Sequence, residues 1–203
     1  MKRILIIIFL IGFIVPLSVT AQETETLFSG DIDHGGFGSL VFGVTEANGQ
    51  AAYLRGNRGA WVLNFRDGHT INLGIGWYRT RSEFDAVDWT QTELEVPEIR
   101  TNYSGFEIEY LINSNKLVHF GGQFLVGGGN VRYKERGALD FDRTFDRYFV
   151  LQPGVNVHLN ITNWFRINSG VLYRHAGGVD LEGTSSSDLS GFSFIIGLRM
   201  GGF

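Results

Sequence analysis

Between residues 71 and 77 apolar and polar positions alternate without a break. Ile71, Leu73, Ile75 and Trp77 fall on one parity, and Asn72, Gly74 and Gly76 on the other. A period of two marks a strand with one apolar face. Just upstream, Asp67-Gly68 is a strong tight-turn dipeptide, so 53–78 is expected to fold as a β-hairpin. The unit recurs along the chain. Eight strands are expected, at 36–45, 51–64, 69–80, 102–112, 117–133, 147–161, 164–175 and 189–203. In the fourth, Phe106, Ile108, Tyr110 and Ile112 oppose Gly105, Glu107 and Glu109; in the sixth, Val155, Val157, Leu159 and Ile161 oppose Gly154, Asn156, His158 and Asn160. No long segment carries a 3.6-residue apolar period, and 28 Gly, 17 Phe and only 3 Pro agree with β structure.

The connections sort by length. Short turns at 66–68, 113–116 and 162–163 alternate with longer segments at 81–101, 135–146 and 176–188, and only the first, 46–50, is brief. Four outer loops, three inner turns and both ends on the inner side are what an even-stranded outer-membrane barrel requires. A soluble barrel has no reason to sort its loops this way. The expected fold is therefore all-β, an eight-stranded antiparallel up-and-down transmembrane β-barrel over 35–203.

Periodicity does not say which parity faces outward. In lipid, energetics does, because Arg near mid-bilayer costs roughly 2–4 kcal/mol. Arg166 and Arg199 lie on the parity opposite the aromatics, so the apolar parity is expected to face lipid. An eight-stranded barrel is only wide enough for side chains to fill it. Glu107 and Glu109, with Arg55, Gln123, Arg166 and Arg199, are expected to form a polar network of charge-assisted hydrogen bonds that blocks conduction. Trp61, Phe65, Trp77, Tyr78, Tyr103, Tyr148, Phe149, Trp164 and Tyr173 lie near strand ends and are expected to form interfacial girdles.

The first 21 residues have the layout of a secretory signal peptide. Lys2 and Arg3 precede an apolar run from Ile4 to Val15, Pro16 breaks it, and Val19-Thr20-Ala21 offers a cleavage site near Ala21. The run is too short for a membrane-spanning helix. Residues 22–34 read as a short periplasmic tether. The chain carries a net charge of −4, and losing Lys2 and Arg3 makes it more acidic, which argues against nucleic acid as a partner. With no cysteine there is no disulfide framework, no thiol chemistry and no lipoprotein-type lipidation.

The signal peptide, the eight alternating segments, the loop asymmetry and the terminal Phe203 resemble the small outer-membrane barrels of the OmpA transmembrane-domain and OmpX kind. Gly56-Asn57-Arg58-Gly59-Ala60-Trp61 before a tight turn is similar to a glycine-arginine-tryptophan pattern in small outer-membrane proteins. The resemblance covers nearly all of the chain after residue 21. It implies insertion in the outer membrane amid lipopolysaccharide, with Phe203 read by the barrel-assembly machinery as a C-terminal signal. It does not extend to the peptidoglycan-binding domain of the OmpA kind. In one departure, Gly197, Arg199 and Gly201 share the parity of Phe203, and a bulge at Gly201-Gly202 would restore the usual phase.

Candidate chemistry is sparse. A hydrolase on lipid A or phospholipid would use His175 and the serines Ser185, Ser186 and Ser187, at a spacing that matches no motif. Asp140, Asp142, Thr144 and Asp146 mimic the start of a calcium loop, but Phe145 and Leu151 replace the glycine and glutamate that an EF-hand needs. His119 and His158 share the inward parity without a third ligand. Arg132, Lys134 and Arg136 edge the third outer loop, a placement that suits contact with lipopolysaccharide phosphates and ordinary snorkelling at the membrane rim equally. No cofactor, metal site or catalytic residue is expected. The reading is a non-enzymatic integral outer-membrane barrel with a filled lumen and an unidentified loop partner. Two alternatives are a barrel enzyme on membrane lipid and a secreted lipocalin-like barrel.

Overall fold

The computed structural model describes residues 32–85, 98–134, 145–181 and 183–203. The expected signal peptide, most of the tether and the segments 86–97 and 135–144 lie outside the described residues. The described chain forms eight strands: β1 (Asp33–Ala47), β2 (Gln50–Asn64), β3 (Thr70–Asp85), β4 (Glu98–Ile112), β5 (Val118–Lys134), β6 (Phe145–Asn160), β7 (Phe165–Gly177) and β8 (Gly191–Gly202). Each pairs antiparallel with the next, and β8 returns to β1 from Gly36↔Gly202 to Thr45↔Ser193, so the sheet closes as an up-and-down barrel. Closure leaves no free edge.

Turn chemistry marks the two ends. At the loop end Asn48 (φ 54°) and Gly49 (φ 65°) close the β1–β2 hairpin, the two left-handed residues that a type I′ turn needs. At the turn end Gly68 (φ 77°) follows Asp67, and Ser114 donates its backbone N–H to the Gly68 carbonyl at 2.8 Å, tying two adjacent turns together. β3 and β4 run further toward the loop end than alternation suggested. Arg79, Thr80, Arg81 and Ser82 break the apolar period there, yet backbone pairing continues through a register shift between Thr80 and Phe84.

The apolar parity faces outward. Ile75 (70% exposed), Val155 (65%) and Phe194 (64%) lie on different strands of the same wall, with Leu40, Phe106 and Phe120 also exposed. Inward positions hold two layers. Near the turn end the lumen contains Arg58, Glu107, Glu109, Gln123, Asn156, Asn168 and Arg199, all buried. Toward the loop end, on the same strands, it contains Val41, Leu54, Tyr78, Tyr103, Leu125, Val150, Leu172 and Ile195.

Two expectations are corrected. Tyr78, Tyr103 and Tyr148 are buried in the loop-end layer rather than set in a girdle, because they lie on inward parity; Trp61, Trp77, Phe149, Trp164 and Tyr173 are exposed on the outer wall. The bulge at Gly201-Gly202 does not occur: β8 holds one register against β1 throughout. Phe203 therefore keeps inward parity. Its ring lies 5.8 Å from that of buried Phe37, beneath the Arg166 guanidinium at 4.0 Å.

Candidate functional site

The polar layer is built around Glu109. Arg199 grips it with both terminal nitrogens, Nη1 to Oε2 and Nη2 to Oε1, each at 2.7 Å, while its Nε donates to Asn168 Oδ1 at 2.9 Å. Fork-on-carboxylate pairing is the strongest geometry available to such groups. Asn72 Nδ2 donates to Glu109 Oε2 at 2.7 Å. Arg58 closes the other side. Its Nε donates to Glu107 Oε2 at 3.0 Å, its Nη2 lies 2.5 Å from Glu107 Oε1, and the same Nη2 lies 3.6 Å from Glu109 Oε1. Two carboxylates thus meet two guanidiniums. Gln123 joins through Asn156, whose Nδ2 donates to Gln123 Oε1 at 2.6 Å.

Inward glycines give these groups room. A Cβ on Gly197 would strike the Asn168 side chain, and one on Gly170 would strike that of Asn156. The period of two supplies this automatically, since glycine and the long polar residues share one parity across neighbouring strands.

Of the expected network, Glu107, Glu109, Gln123 and Arg199 meet in this layer. Arg166 is buried lower down against Phe203. Arg55 is not in the lumen: it is exposed on the outer wall, and Arg58 occupies the position it was expected to fill. The two differ by three residues and so by parity. The usable signal was Trp61. Placing that ring on the outer wall forces Arg55 outward and Arg58 inward. Asn72 and Asn168, which the expected network does not include, sit on the polar parity of β3 and β7.

The loop-end layer is apolar with anchored hydroxyls. The Tyr78 and Tyr103 rings stack at 5.1 Å, Gln152 Nε2 donates to the Tyr103 hydroxyl at 2.8 Å, and the Tyr148 hydroxyl lies 2.5 Å from Thr101 Oγ1. Above it, buried Arg174 donates from Nε to the Leu189 carbonyl at 2.6 Å and from Nη2 to the Glu46 carbonyl at 3.1 Å. It ties β7 to the segment entering β8 and to the end of β1.

The remaining candidates do not assemble. His175 is exposed on the outer wall opposite Leu151, whereas Ser185 Oγ donates to Asp188 Oδ2 at 2.7 Å, and no histidine joins that pair in the described bonds. The His119 and His158 rings stack at 5.0 Å with an interplanar angle of 12°. No group of three His, Cys, Asp or Glu among the described residues is arranged to hold a metal. Asp146 instead accepts from the backbone N–H groups of Arg147 and Asp180. Asp140, Asp142, Thr144 and Arg136 lie outside the described residues, as does the side chain of Lys134.

A closed eight-stranded antiparallel barrel, apolar outside and filled within, is the architecture of small outer-membrane barrels. Ail, the attachment invasion locus protein of Yersinia pestis, is similar over 83% of this chain and 97% of its own, at 13% identity and a TM-score of 0.53. The structure of Ail in complex with the heparin analogue sucrose octasulfate gives 13% identity, 85% and 99% coverage and a TM-score of 0.52. Neisserial surface protein A is similar at 11% identity, covering 84% of this chain and 99% of its own, with a TM-score of 0.52. At these identities the likeness is one of fold. No protein-family model matches the chain, and no curated protein sequence matches it.

Proposed function

We propose that this protein is a non-enzymatic integral outer-membrane barrel that uses its loop end for surface interaction and does not act as a general pore. The observation that carries the reading is the inversion of the usual soluble pattern. Large apolar side chains are exposed on all eight strands, while Glu107, Glu109, Arg58 and Arg199 are buried at the axis. Water offers no reward for that arrangement, and a hydrocarbon surround does. The same inversion opposes the lipocalin-like alternative, which needs its apolar parity inside. The signal-peptide layout of the first 21 residues supplies the export route. Loop-end partners are of the surface-exposed kind, and the sucrose octasulfate complex of Ail makes sulfated glycans a class to include in a screen.

Fractionation tests the membrane assignment. The protein should remain with outer membranes after carbonate washing and migrate differently on gels before and after boiling; full release into the soluble fraction would end the reading. Single-channel recording tests the filled lumen, with steady conductance on the scale of a general porin as the contrary result. The enzyme alternative is tested by His175→Ala, for which unchanged lipid A and phospholipid profiles at wild-type expression are expected.

A further inference from the structure

The turn end of the lumen holds a buried charge that the polar layer does not answer. Among the described residues four arginines are buried, Arg58, Arg166, Arg174 and Arg199, against two glutamates, Glu107 and Glu109. Arg58 and Arg199 pair with the glutamates. Arg174 donates to two backbone carbonyls. Arg166 has neither an acidic partner nor a hydrogen-bond acceptor among the described residues, and its Nε is buried and unbonded. Its direct cross-strand partners are Asn160 on β6 and Arg199 on β8, a neutral amide and a like charge already committed to Glu109. The Phe203 ring, 4.0 Å from the guanidinium carbon, covers one face of the group and leaves the planar edge that carries the N–H donors.

Arg166 lines a hollow of about 380 Å³ between the β4–β5 and β6–β7 turns, with Ser114, Asn115, Asn160, Asn163 and Phe203 also on its walls. That volume falls within the range of small-molecule sites. Asn160 is fixed in place: its Nδ2 donates to the Ser114 carbonyl at 3.0 Å and to the Lys116 carbonyl at 2.8 Å, while its Oδ1 is buried without a donor. The hollow thus presents one uncommitted guanidinium and one uncommitted amide oxygen, set among neutral side chains. Both are costly to bury unanswered. A single guanidinium fork matches one carboxylate. A phosphate, at about −1.5 to −2 charge, would call for a second cation, and the nearest, Arg199, is committed. A hydroxyl beside the carboxylate would give Asn160 Oδ1 its missing donor. We propose that the turn-end hollow binds a small hydroxylated carboxylate of the sugar-acid kind, with Arg166 holding the carboxylate and Asn160 a neighbouring hydroxyl. The site stands on the barrel alone; that it opens on the inner side of the membrane rests on the outer-membrane reading above.

The test uses the protein purified from cell envelopes in a neutral detergent and titrated with galacturonate, galactose or inorganic phosphate. The readouts are the heat of binding and the temperature at which the folded gel band is lost. Wild-type protein should bind galacturonate and keep its folded band to a higher temperature in its presence, and galactose at the same concentration should do neither. R166Q should weaken galacturonate binding by about ten- to a hundredfold, the scale of a hydrogen bond to a charged group. R166K should recover part of the loss. If R166Q does not fold, the side-chain N–H resonance of Arg166 in the wild-type protein decides: galacturonate should shift it, and a resonance unmoved by galacturonate overturns the inference. Equal binding by folded wild type and folded R166Q, no binding of galacturonate by wild type, or tighter binding of phosphate than of galacturonate overturns it as well. Recovery of the chain without detergent would end the membrane reading, and the same titration would still decide the site.

Discussion

At the turn end the lumen is filled by Arg58, Glu107, Glu109 and Arg199; further along the same strands it is filled by Leu54, Tyr78, Leu125 and Leu172. Both layers are buried and both occupy the same inward parity, but they fail differently. In the polar layer each group is held by named partners, so removing one leaves a charge in low dielectric with nothing to answer it. In the apolar layer the loss is a volume, and neighbours relax partly into it. The lesson is that charge inside a narrow barrel must be answered by opposite charge, even where single atoms such as Arg58 Nη1 and Asn72 Oδ1 stay without a hydrogen bond, whereas rings and branched chains demand mainly fit.

The largest effect should come from the centre of the polar layer. Glu109→Ala frees Arg199 and strips Asn72 of its acceptor, and should destabilise the barrel by about 3–5 kcal/mol in equilibrium unfolding from lipid or detergent. A loss below about 1 kcal/mol would mean that the layer is wetter than its burial implies. Leu125→Ala in the other layer should cost about 2–5 kcal/mol, while the volume-conserving Leu125→Met stays below about 1.5 kcal/mol. If the methionine variant is as damaged as the alanine one, fit alone is not the rule there. Gly197→Ala places a methyl against Asn168, the residue that receives Arg199 Nε, and should cost about 1–3 kcal/mol. Tyr103→Phe deprives buried Gln152 Nε2 of its acceptor for about 1–3 kcal/mol, a rare polar penalty inside the apolar layer. The smallest effect separates two arginines three residues apart. In a zwitterionic detergent Arg55→Gln should change stability by no more than about 0.5 kcal/mol, whereas Arg58→Gln should weaken the barrel far more. Equal effects would contradict the placement of one outside and one inside.

β2 explains why that distinction was hard to read. Its inward residues include Ala52, Leu54, Ala60 and Val62, and its outward residues include Tyr53, Arg55, Asn57 and Trp61. On this strand the lumen side is the more apolar, so hydropathy alone points the wrong way. Register against β1 and β3 decides it, together with the demand of Glu107 for a guanidinium. The three tyrosines follow the same logic. Near strand ends a ring suits either a girdle or an apolar lumen layer, and only the parity established by its neighbours chooses.

The chain alone determined the strand count, the alternation of short turns with long connections, the apolar exterior of most strands and the polar parity that carries Glu107, Glu109, Gln123, Arg166 and Arg199. Each is a local or period-two property, written in consecutive residues. Tertiary structure decided what depends on closure: the pairing of Arg58 with Glu107, the grip of Arg199 on Glu109 from 90 positions away and the inward turn of Phe203. Those contacts join strands whose relative register is set only when the sheet wraps round and β8 meets β1, and no single strand contains that information.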